Sequence, residues 1–135
     1  YFADKPGGVR LIKIDTQGSE PRILAGIAAD FLRNRDVAAL ILEYWPRGFI
    51  AAGSTPETFV AQLKRLDLCC YVIQEEYRGL DPIDAELLGQ RAYGDLGPET
   101  EWFANILAVP ASRPLPDWVA AMVRQPDAPM FYTPS

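Results

Sequence analysis

The chain has 135 residues, 49% of them hydrophobic, and a net charge of -5. That apolar fraction gives one ordinary domain a core and excludes a disordered chain. The 13 Lys and Arg are scattered among 18 Asp and Glu, which excludes the clustered basic surface a nucleic-acid partner needs.

No histidine is present and the two cysteines are neighbours. Any histidine base is therefore excluded, and no metal site is expected from donors so few. Cys69 and Cys70 would have Cα atoms ~3.8 Å apart, closer than ordinary disulfides allow. Two buried thiols in a strand are expected. No apolar run reaches the ~20 residues of a membrane helix. The opening "YFADKPGGVR" lacks the positive-then-apolar order of a secretory leader. A cytoplasmic location with no membrane partner is the expectation.

In chain order, "VRLIKID" reads as a strand, rich in β-branched residues and apolar enough for burial on both faces. "SEPRILAGIAADFLRN" reads as one helix, with Ile23, Leu24, Ile27, Ala28, Phe31 and Leu32 along its buried face and Ser19 as cap. "VAALILEYWP" is a second buried strand, stopped by Pro46. "RGFIAAGSTP" is a connection that could face a substrate. "STPETFVAQLKRLD" carries a strong helix start, with Thr55 as N-cap, Pro56 at the first position and Glu57 at the positive end of the dipole. Its apolar face is Phe59, Val60, Leu63 and Leu66.

"LCCYVIQEE" is a third strand and "DPIDAELLGQRA" a short helix. "EWFANILAVP" is a fourth strand, ended by Pro110. "ASRPLPDWVAAMVRQP" suggests a small helix with Trp118, Val119, Met122 and Val123 inward, before a Pro-rich surface tail. Strands alternating with helices predict an α/β sheet. Its first three strands should be parallel, with right-handed crossovers. Ligands then bind beyond the carboxyl ends of the strands, where Asp15 and Glu43 fall.

The stretch "LIKIDTQGSEPRILAG" resembles the FkbM-type methyltransferases on Lys13, Ile14, Asp15, Gly18, Glu20, Leu24 and Gly26. "LILEYWP" and "NILAVP" are similar to that family's later strands. The resemblance implies S-adenosylmethionine as cofactor and a hydroxyl of a sugar or natural product as acceptor. It implies a seven-stranded Rossmann-like sheet, of which "LIKID" is the fourth strand. No G-x-G cofactor loop occurs in this sequence. The implied fold is thus half of a Rossmann-like methyltransferase sheet, mostly parallel with a last antiparallel strand between the fifth and sixth, and with helices on both faces. Residues 1–110 are that carboxyl-terminal half; residues 111–135 are a terminal helix and tail. Most of the cofactor site would lie outside this chain, and the fragment alone is expected to be inactive.

Asp15 is the catalytic candidate, as general base or acceptor anchor; otherwise it fixes the turn at Gly18. Lys13 shares its face by strand alternation and either tunes Asp15 or forms a salt bridge at the strand end. Asp15, Thr16 and Gln17 are the candidates for touching cofactor. Glu20, Glu43, Tyr44 and Trp45 are the substrate candidates, the two aromatics as a stacking surface for a sugar ring. Against that, Glu20 suits a helix start, Glu43 reads as a surface carboxylate and the aromatics as partly buried. An apolar strand without its neighbour is an open edge, so an edge-to-edge homodimer is the expected partnership. The second reading is a non-catalytic α/β module that binds a partner through that edge.

Overall fold

The computed structural model describes residues 11–76, 78–91 and 103–123. Its elements run β1 (Leu11–Ile14), α1 (Glu20–Ala25), α2 (Phe31–Asn34), β2 (Ala39–Tyr44), α3 (Pro46–Ala51), α4 (Pro56–Arg65), β3 (Leu68–Gln74), β4 (Gly79–Ile83), α5 (Ala85–Arg91), β5 (Ala104–Pro110) and α6 (Asp117–Ala120). The chain is α/β, with one five-stranded sheet in the order β1-β2-β5-β3-β4.

The sheet is mixed, which corrects the expectation of a mostly parallel one. Among the strands of the described residues, β1 and β2 are the one pair in parallel. β5 inserts between β2 and β3 and runs antiparallel to both. β3 turns back into β4 as a hairpin, adding a third antiparallel pairing. β1, β2 and β3 still point one way, as the helical crossovers between them require. The expected antiparallel last strand is β5, between the second and third of them.

Strand alternation gives the sheet two unlike faces. One carries Ile14, Leu40, Leu42, Tyr44, Cys70, Val72 and Ile106, buried against Leu24, Leu32, Phe59, Leu63 and Leu88 of the helices. Tyr44, Phe49 and Phe59 form an aromatic knot there, with ring centroids 5.1–5.5 Å apart. The other face holds Ala39, Leu107, Val109 and Leu80, and among the described helices only α6 packs on it, through Val119. Helices thus lie on both faces, very unequally.

That inequality explains several departures from the sequence reading. β1 is covered on one face only: Ile14 is buried, whereas Leu11 and Lys13 are exposed. Cys69 points to the thinly covered face and is exposed, while Cys70 is buried; both are free thiols. Trp118 and Met122 are exposed, whereas Val119 is buried and Val123 packs partly buried against the same cluster, so two of the expected four face inward.

Other departures are local. The long first helix breaks into α1 and α2 after Ala25, where Gly26 closes the turn. Arg65 reaches across from α4 and donates to the Leu24 and Ile27 carbonyls at 2.8 Å, satisfying groups a helix end leaves orphaned. Ser19 makes no capping bond. Pro46 opens α3 instead of merely stopping β2, using the N-terminal position that proline favours. β4 forms where a helix lead-in was expected, and its Pro82 is tolerated because β4 is an edge strand. α4 matches its expectation: the Thr55 hydroxyl accepts from the Thr58 amide at 3.2 Å, and Phe59, Val60, Leu63 and Leu66 are buried. The tail falls outside the described residues.

Candidate site at the strand ends

The site is built from the loop that leaves β1. Gln17 has φ +57° and Gly18 φ +118°, so the chain reverses through two left-handed residues. Glu20, fully buried, fastens that turn: one carboxylate oxygen accepts from the Thr16 amide at 3.0 Å and the other from the Gly18 amide at 2.9 Å. A buried carboxylate needs such partners to offset its lost hydration. Glu20 therefore lies beneath the loop and shapes it, away from any surface an acceptor would reach.

Two glycines seat the loop on α3. A Cβ on Gly18 would fall 2.4 Å from the Gly48 carbonyl oxygen. A Cβ on Gly48 would fall 2.0 Å from Cε3 of Trp45, so the indole packs directly against Gly48. The loop and the aromatic are thereby held as one unit. Thr16 Oγ1 and Trp45 Nε1 are buried without a hydrogen-bond partner among the described residues.

Lys13, Asp15 and Glu43 meet at the carboxyl ends of β1 and β2. The register pairs Lys13 with Ile41, so alternation puts Asp15 and Glu43 on the same face. Asp15 is exposed and its Oδ1 accepts from Gln17 Nε2 at 3.4 Å. Glu43 is half-buried, and its pKa is raised: burial contributes most, then the charges of Asp15 and Glu20, with Lys13 opposing. Neither Asp15 nor Glu43 has an ion-pair partner within 4 Å among the described residues. No group of three Asp, Glu or Cys there could hold a metal ion.

Gln17, Glu43, Trp45 and Phe103 line a cleft of about 320 Å³. Phe103 was not singled out in the sequence. β5 pairs Ala104 with Tyr44 and Asn105 with Glu43, which carries Phe103 to the level of Trp45. The aromatic pair in "EWFAN", just ahead of a strand, was the available signal.

Tyr44 does not join this cleft, which corrects its place in the stacking surface. It points to the opposite face, fully buried, and its hydroxyl donates to the Leu88 carbonyl at 3.0 Å. Glu43 and Trp45 face the cleft and Tyr44 the core because a strand alternates. A larger groove of about 610 Å³ lies at the amino end of β3, beside Lys64, Cys69 and Asp84. It is lined by the Cys69 and Cys70 thiols with Asp67 and Asp84, and burial pushes the Cys70 thiol up to about 12, which keeps it protonated.

Chemically, the strand-end site offers an exposed carboxylate, a second carboxylate in partial burial and two aromatic surfaces. Comparison with protein-family models, curated proteins and solved structures finds no match to this chain.

Proposed function

We propose that the chain forms the carboxyl-terminal half of an FkbM-type class I methyltransferase domain, which transfers a methyl group from S-adenosylmethionine to a hydroxyl of a sugar or natural product. The observation that carries this reading is the strand order. A β1-β2-β5-β3 series, with the last strand reversed between the second and third, is the arrangement of strands four to seven in that fold. Three further features support it: Asp15 follows the first of these strands, β1 has an unpaired outer edge among the described residues, and Leu11 and Lys13 are exposed on it.

The residues present suit the cofactor in part. Asp15, Thr16 and Gln17 would border it, and Thr16 Oγ1 is a buried polar atom with no partner of its own. The remaining contacts would come from strands one to three. The bound cofactor supplies an electrophilic methyl group. Asp15, exposed at a strand end, would hold the acceptor hydroxyl and accept its proton as that hydroxyl is methylated. Glu43 and Trp45 position the acceptor, and Glu20 holds the loop that aims Asp15.

The bare β1 edge equally favours a second reading, a non-catalytic module that docks a partner strand there. Calorimetric titration of S-adenosylmethionine separates the two. A longer form that adds the strand and glycine-rich loop this reading requires should bind the cofactor, and the 135-residue chain should bind little. In the longer form Asp15→Asn should lower turnover on the order of 100-fold or more with cofactor affinity retained. Absence of cofactor binding by the longer form would leave the docking module.

A further inference from the structure

We infer that the cleft of Gln17, Glu43, Trp45 and Phe103 is a recognition site for an organic cation, such as a quaternary or protonated amine. Three independent features converge. First, Trp45 and Phe103 both line the cleft, and an aromatic face attracts a cation through its quadrupole. Phe103 is 55% exposed, a large apolar surface held open at the cleft. Second, Glu43 lines the same cleft with Asp15 close enough to raise its pKa, and neither carboxylate has an ion-pair partner among the described residues. Third, the indole is fixed by Gly48 beneath it, and Glu20 fixes the loop that carries Gln17. A cation entering there therefore meets a preorganised wall.

The charge balance decides between ligand classes. Glu43 is the charged group lining the cleft, and Asp15 and Glu20 act on it from nearby more strongly than Lys13 does. A carboxylate in the cleft wall, with further acidic groups acting on it, repels an anionic ligand. A neutral ligand would leave Glu43 with its desolvation and its repulsion by Asp15 uncompensated. A cation with apolar substituents relieves that repulsion and covers both rings. A small hydrated metal ion fits less well, since the acidic groups among the described residues are not arranged to ligate one.

This inference does not depend on the methyl-transfer reading, because its test uses no cofactor. Choline is titrated into the 135-residue chain beside its uncharged carbon isostere, 3,3-dimethylbutan-1-ol. The readout is the indole N–H resonance of Trp45, assigned by its loss in Trp45→Phe. Choline should shift that resonance saturably and bind about tenfold more tightly than the isostere. Glu43→Gln and Phe103→Ala should each weaken choline about fivefold or more. Both positions lie outside the apolar core, and far-UV circular dichroism checks that each variant is folded. Equal binding of choline and its isostere, or choline binding unchanged in both variants, overturns the inference.

Discussion

Three carboxylates within one short region carry different loads. Glu20 is buried and saturated by amides, Asp15 is exposed, and Glu43 is half-buried and repelled by both. The Glu43 pKa is raised from its usual 4.5. A raised carboxylate pKa stabilises the fold fully below its unfolded value, and this stabilisation is lost as pH rises through the folded one. At pH 7 the ionised Glu43 thus burdens the native state, and Glu43→Gln should remove that burden. We expect the variant to be slightly more stable at pH 7, by roughly 0.5 kcal/mol given solvent screening. The difference should shrink as pH falls toward 4.5. Urea unfolding at several pH values measures it, and a variant less stable at pH 7 would contradict the proposed repulsion. Much of this cluster was legible in the sequence, because Asp15 and Glu43 end apolar runs. The burial of Glu20 was not, since it depends on a loop folding back over its own helix start. The separation of Tyr44 from its neighbours follows from alternation alone, once "LEYWP" is read residue by residue.

At the scale of elements, the turn after β1 and the start of α3 are mutually dependent. Gly18 needs both its positive φ and the absence of a Cβ, because the Gly48 carbonyl approaches its Cα directly. Gly18→Ala should therefore destabilise the fold by about 2–3 kcal/mol, combining backbone strain with a steric shift. Asn, which tolerates positive φ, should not rescue it, since its Cβ meets the same carbonyl. Thermal unfolding of both variants measures this; full stability of Gly18→Asn would show that φ alone matters. Legibility at this scale followed local chemistry. α4 was readable because cap, proline and apolar face all agree. α1 and α2 were not separable, because the apolar spacing runs through Gly26 without interruption. Pro46 was ambiguous, since a proline ends a strand and begins a helix by the same loss of an amide.

For the molecule as a whole, the two outer edges of the sheet are treated oppositely. β4 is blunted: Pro82 removes a donor, and the strap at Met122–Val123 covers it, with the Leu80 amide donating to the Met122 carbonyl at 2.8 Å. β1 has no proline and no strap among the described residues, and its Leu11 is 48% exposed. Its one lysine, Lys13, is exposed and is the single charge along the strand. An edge left open while its opposite is closed has the form of a pairing surface. The sequence signalled this through an apolar strand bearing a single lysine, but it could not show that the other edge is protected, because β4 was not foreseen. Self-association should therefore run through β1. Sedimentation velocity should show the 135-residue chain moving from monomer toward dimer or larger species as concentration approaches ~100 μM. Leu11→Lys changes a largely exposed side chain, so the fold should persist, while a second charge on the edge suppresses pairing. A chain that stays monomeric at that concentration, or a Leu11→Lys variant that associates as before, would mean that the open edge of β1 is not what brings chains together.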